Sequence, residues 1–304
     1  MFSVCAGDAP VVKLKQEEKS IKVEIDGKPF TTYWFADGNG SHYIRPFMYP
    51  VLHSDGTEIT ADQIQTRGDH PHHRSMWVAH GEVNGADHWS ISKGAKSPKQ
   101  RHIAFTKVEG DSLEQQLEWE DVDNQPMMKE TRGLRFFQYA DGSRGVDFTL
   151  TFDPIVDKVT FGDTKEAGLC SVRVVKSISD AAVLTQSTGK TDAGPGKGEP
   201  NTWGKAATWC DISGKIGDKS YGITILDHPS NPRHPTTWHC RRYGLMSANP
   251  FGLSDFDKAL PKNSGDFTVE KGKPVTFRYR VVIHAGSANP ADLETKFKEY
   301  SEKK

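Results

Sequence analysis

The sequence predicts an all-β protein, a large antiparallel sandwich of two packed sheets followed by a short C-terminal helix. Three observations lead there. Apolar and polar residues alternate in many short runs, as in Val275, Phe277, Tyr279, Val281 and Ile283, which is the pattern of strands with one buried face. Asp-Gly and Glu-Gly pairs punctuate those runs at Asp26-Gly27, Asp55-Gly56, Glu109-Gly110 and Asp141-Gly142, as hairpin turns do. Helical periodicity is confined to one segment near the end.

In chain order, expected strands cover residues 11–15, 21–25 and 28–35, the last two joined through Asp26-Gly27. They continue at 101–108, 113–119, 131–139, 145–152, 169–176, 207–212, 221–226 and 275–285. Residues 187–205, rich in glycine and proline, read as a long loop, because strand patterns resume after it. At the C-terminus Asn289 is placed to cap a helix with Pro290 in its first turn. Leu293, Phe297 and Tyr300 then share one face. Neither a repeat nor a break interrupts the chain, so residues 11–304 form one expected domain. Residues 1–10 are the exception. Val4-Cys5-Ala6 fits the small-x-small cleavage pattern loosely, so they read as a leader remnant of an exported, periplasmic protein.

Composition narrows the function. Charged residues make up 26% of the 304, the net charge is −1, and no global basic field exists to hold nucleic acid or an anionic membrane. No stretch approaches the roughly 20 apolar residues that span a bilayer as a helix. The four cysteines, Cys5, Cys170, Cys210 and Cys240, are too widely spaced for a disulfide framework. Free buried thiols are the simpler reading, with a Cys210–Cys240 link as the alternative. Nucleophile-elbow, phosphate-loop and dinucleotide motifs are absent from the sequence.

Two clusters carry the chemistry. The first is Arg67-Gly68-Asp69-His70-Pro71-His72-His73-Arg74, followed by Trp77 and by Asp87-His88-Trp89. The second runs from Asp227 through Arg233-His234-Pro235 and Trp238-His239 to Arg241 and Tyr243-Gly244. Both hold proton-exchanging, cationic and aromatic side chains, so they are expected to converge in one pocket. Histidine titrates near neutrality, so His72 or His73 is assigned as general acid or base, with His239 or Glu166 opposite. Arg45, Arg233 and Arg241 are assigned to substrate oxygens, and Asp69, His70 and Tyr243 to substrate contacts. Trp77 and Trp89 would offer flat faces to a sugar ring, although a large sandwich also uses tryptophan as core filler. Pro71 makes the histidine segment a turn, and a turn histidine is expected to add little core packing. The chemistry read from these residues is proton transfer on a sugar-like small molecule without a cofactor. The alternatives are a sugar-binding module without catalysis and a hydrolase or lyase with a divalent metal on His70, His72 and His73.

Several motifs together resemble the PmoA-like family of bacterial proteins. They are Tyr43-Ile44-Arg45-Pro46, His53-Ser54-Asp55-Gly56, Asp69-His70-Pro71-His72-His73, Asp87-His88-Trp89 and Phe161-Gly162-Asp163-Thr164-Lys165-Glu166, then Asn231-Pro232-Arg233-His234-Pro235, Trp238-His239, Tyr243-Gly244 and Asn249-Pro250-Phe251. The resemblance implies the layout of the galactose-mutarotase-like supersandwiches and a carbohydrate-related role. One departure is Arg74-Ser75, where the resemblance leads us to expect a glycine after the basic residue.

Overall fold

The computed structural model describes residues 10–36, 44–91, 98–194 and 201–303. The expected leader, save its last residue, lies outside them, as does Tyr43. The first strands are β1 (Val12–Gln16), β2 (Ser20–Ile25), β3 (Lys28–Trp34), β4 (Phe47–Val51) and β5 (Met76–His80). Next come β6 (Gln100–Glu109), β7 (Ser112–Glu120), β8 (Pro126–Gln138), β9 (Arg144–Pro154), β10 (Lys158–Phe161) and β11 (Ala167–Arg173). A single turn of helix, α1 (Lys176–Ser179), leads to β12 (Val183–Gln186), β13 (Thr191–Ala193), β14 (Trp209–Ile216), β15 (Lys219–Asp227), β16 (Trp238–Arg241) and β17 (Leu245–Ala248). Last are α2 (Leu253–Phe256), β18 (Phe267–Glu270), β19 (Val275–Ala285) and α3 (Pro290–Ser301).

Eight strands make one sheet in the order β1-β2-β3-β4-β5-β11-β17-β16, and nine make the other, β13-β12-β14-β15-β19-β9-β8-β7-β6. The strand pairs within them are antiparallel, as in β11 with β17 and β15 with β19. The architecture is the expected all-β sandwich. Alternation does the work: Phe277, Tyr279, Val281 and Ile283 of β19 and Ile21, Val23 and Ile25 of β2 belong to one buried core between the sheets. The β2–β3 hairpin turns on Asp26 and Gly27 at φ 52° and 72°, the left-handed pair a two-residue turn demands. Helix α3 lays Leu293 and Tyr300 on Trp209, Leu226 and Val282, on the outer face of the nine-stranded sheet. Its cap is the expected one, Asn289 Oδ1 accepting from the Ala291 amide at 3.2 Å.

Two expectations need correction. The strand expected to reach residue 176 stops at Arg173, because Lys176 already begins α1. Within the expected loop, Thr191–Ala193 pairs with β12 as β13. Strands β5 and β17, MWVAH and LMSA, escape a search for alternation because every residue in them is buried. Both faces are covered there: one by the core, the other by the candidate site.

Candidate functional site

The covered face belongs to the eight-stranded sheet. Cross-strand register sets Phe47 beside Trp77, Trp77 beside Ser171, Ser171 beside Ser247, and Ser247 beside His239. Paired residues in register share a sheet face, so these five side chains form one row. Two serines at its centre leave a low floor between a tryptophan and a histidine. Gly168 keeps that floor open, since a Cβ there would sit 2.0 Å from Ser171 Oγ and 2.6 Å from Ser247 Cβ. Sequence reading passed over both serines, which stand out only once the register is known.

The histidine segment folds over this row as a pinned turn. Arg74 makes a bidentate ion pair with buried Asp62, at 2.7 and 3.1 Å, and its guanidinium lies 3.9 Å from the Phe47 ring centroid. Ser75 adopts φ 66°, a left-handed conformation that suits the glycine the family resemblance led us to expect. Its hydroxyl is 2.6 Å from that of Thr60. Arg45 is 1% exposed and donates to the backbone carbonyls of His88 at 2.7 Å and His72 at 2.5 Å. It therefore shapes the turn, and its guanidinium is not presented to a ligand's oxygens.

The rings stack in sequence. His70 lies parallel to His73 with centroids 4.8 Å apart, and His73 stacks on Trp77 at 5.4 Å. Tyr243, from the second cluster, stacks on His70 at 4.9 Å. Trp89 bridges His73 at 5.8 Å and His239 at 6.2 Å. The two sequence clusters thus meet on one sheet face. Tyr243, 37% exposed, also lines a cleft of about 450 Å³ with Gln63, Asp69, Arg173, Lys176 and Arg242.

Hydrogen bonds separate the histidines by role. Arg173 Nη1 donates to His73 Nδ1 at 3.1 Å; a guanidinium only donates, so His73 is neutral with its proton on Nε2. Burial, reinforced by His72 and Arg173, holds His73 well below the ordinary histidine range. Burial also lowers His72 to about 4, with Arg45 adding to the effect, and His239 to about 3, with Arg241 adding to it. These three are hydrogen-bonding groups at neutral pH and do not carry charge. His70 has different surroundings: its side chain is 31% exposed, and its Nδ1 lies 2.6 Å from Asp69 Oδ1. The carboxylate accepts the hydrogen bond from Nδ1–H, so the other nitrogen, Nε2, is the one left to a ligand. Asp69 itself is lowered by that hydrogen bond, against the opposing effect of burial.

The other candidates divide. Trp77 and Trp89 are each 1% exposed, and their indole N–H groups have no hydrogen-bond partner among the described residues. They are the site's packing and present no open face for a sugar. His239, which lies against the Lys165 backbone, and Ser247 Oγ, unpartnered among the described residues, supply buried polar atoms beside them. Arg241 lies over Trp203 at 5.1 Å. Glu166 pairs with Lys165 at 2.8 Å and acts electrostatically on Tyr243. Arg233 stands apart from this cluster, donating to the carbonyls of Pro250, Gly265 and Asp266. Asp227 likewise organises its own turn, accepting from Asn231, His234 and the Thr236 amide.

The fit for a metal is poor. Parallel rings at 6°, as in His70 and His73, cannot aim in-plane lone pairs at one ion, and both Nδ1 atoms are already bonded to protein groups. Among the described residues, no group of three His, Cys, Asp or Glu side chains is placed to hold one. Nor is any helix among them long and apolar enough to cross a membrane.

Buried neutral histidines make stability sensitive to acid. Burial lowers His80 to about 4, and lowers His88 to about 3 with Arg45 adding to the effect; His239 behaves alike. Below the unfolded value near 6.5 the unfolded chain binds protons that the folded chain refuses, so stability falls with pH from about 6.5 toward 4. Each such histidine contributes a slope of up to about 1.4 kcal/mol per pH unit. Urea midpoints measured from pH 7 to pH 4.5 should drop steeply below 6.5. A flat profile over that range is incompatible with neutral buried imidazoles.

No curated protein matches the chain significantly. Among solved structures it is similar to a GalM/aldose epimerase homologue from C. elegans, at 8% identity and a TM-score of 0.37, over 92% of this chain and 100% of that one. It is also similar to a putative aldose 1-epimerase from Klebsiella pneumoniae, at 12% identity and a TM-score of 0.41, over 96% and 87%. Likeness at this level carries no functional argument. The sequence match is the firmer finding: residues 20–298 fit the profile of the family of unknown function DUF6807, and the chain belongs to that family.

Proposed function

We propose that this protein binds a sugar or modified sugar in the cleft beside Tyr243 and moves a proton on it, with the Asp69–His70 pair as acid and base. The observation that carries the proposal is that pair, half-exposed and set among neutral, buried histidines where the two sequence clusters meet. His70 Nε2 would take a proton from a carbon next to a carbonyl, or from a hydroxyl, while Asp69 holds the ring and stabilises its cationic form. Arg173, which lines the cleft and is held by neutral, buried His73 behind it, would donate to the substrate oxygen on which negative charge develops. Glu166 is the carboxylate proposed to serve as the second proton-transfer group. The PmoA-like kinship drawn from the motifs, and with it a mutarotase-like layout, belongs to this proposal.

A second reading, a sugar-binding module without chemistry, is favoured by the neutrality of His72, His73 and His239, which suits recognition. One assay decides between them. The protein is incubated in heavy water with aldoses, 3-keto-glycosides and uronates and followed by NMR. Solvent deuterium entering a sugar carbon, accelerated anomer exchange or cleavage supports catalysis. Binding across the panel with none of these leaves the module as the better account.

A further inference from the structure

We propose that Cys210 and Cys240 close into a disulfide joining the two sheets when the chain folds in an oxidising environment. Cys210 lies in β14 of the nine-stranded sheet and Cys240 in β16 of the eight-stranded sheet. Both side chains point into the core, both are fully buried, and their sulfurs are 3.5 Å apart, at van der Waals contact. A bond of about 2 Å needs only a small further approach. The segments that present them are already tied, through the Ala206–Thr237 bridge and a hydrogen bond from Trp238 Nε1 to the Ala207 carbonyl at 3.0 Å.

The reaction is ordinary thiol–disulfide exchange. Cys210 and Cys240 give up two protons and two electrons in all, and an oxidant of the disulfide class, such as oxidised glutathione, is reduced to two thiols. Burial pushes the Cys210 thiol well above its usual range, so thiolate is scarce once the sheets have packed. The bond therefore forms as the sheets come together and afterwards resists reduction. Its position matters because β16 is the last strand of its sheet and carries His239 and Arg241 on the face opposite Cys240. The bridge anchors that strand, and the candidate site on it, to the other sheet.

The test compares protein purified from an oxidising compartment of the expression host with protein from its reducing cytoplasm. Free thiols are alkylated after denaturation, and peptides are mapped without reductant. The oxidised preparation should yield a linked peptide holding Cys210 and Cys240, melt several degrees higher, and show slower amide exchange in residues 238–241. The linked peptide should vanish in a Cys240→Ser chain prepared the same way. Full alkylation of both cysteines in the oxidised preparation, or a link that uses Cys5 or Cys170 instead, overturns the proposal.

Discussion

A His70→Gln chain should lose about 10²- to 10⁴-fold of the proton exchange measured on the responsive sugar, the usual contribution of one general acid or base. Glutamine keeps much of the side chain's bulk and can still donate to Asp69, but its amide has no basic nitrogen to accept and release a proton. Since the His70 side chain is 31% exposed, the stability change should stay within about 1 kcal/mol. Activity and folding are therefore separable at this position. Asp69→Asn should reproduce part of the loss, because an amide neither holds the Nδ1–H tautomer as firmly nor balances an imidazolium. Exchange rates that are unchanged in His70→Gln, at an unchanged melting temperature, would remove His70 from the chemistry.

That assignment differs from the one the sequence suggests, and the reason is physical. Adjacent histidines are alike in composition; burial and partners distinguish them. His73 sits under the turn against Trp77 and accepts from Arg173, whereas His70 sits above it and donates to Asp69. None of this is visible from spacing. Arg45 is a similar case, since an arginine near a histidine cluster reads as a ligand contact until its guanidinium is found donating to two backbone carbonyls. The hairpins were legible because one-sided burial writes alternation into a strand, as in β7, and because Asp26-Gly27 has few other uses. Strands β5 and β17 carry no such signal, and the same double coverage that hides them marks the site. The convergence of the two clusters followed from their shared residue types, but the serine floor between them depends on register alone.

His73→Ala should cost about 2–4 kcal/mol of stability, against the sequence-based expectation that turn histidines add little packing. The ring is 1% exposed and lies between His70 and Trp77, so its removal opens a cavity in a stacked column. It also strips buried Arg173 of the acceptor that its Nη1 meets at 3.1 Å, while Asp69 Oδ1 lies 3.8 Å from the other nitrogen, Nη2. His72→Ala, at a half-buried position whose ring makes no such bond to a buried cation, should cost less. Urea unfolding of the two variants at pH 7.5 measures the difference. The pH dependence supplies an independent check. Wild-type His73 is held neutral in the folded chain, so below about pH 6.5 the wild type loses stability as its unfolded state takes up that proton. The alanine variant has no such proton to bind. Its deficit should therefore shrink as the pH falls below 6.5, by up to about 1.4 kcal/mol per pH unit. A deficit that grows on acidification would mean that His73 is charged in the folded state. The Arg173 hydrogen bond would then have to point elsewhere, and the reading of this turn as a neutral, hydrogen-bonding wall behind the Asp69–His70 pair would fail.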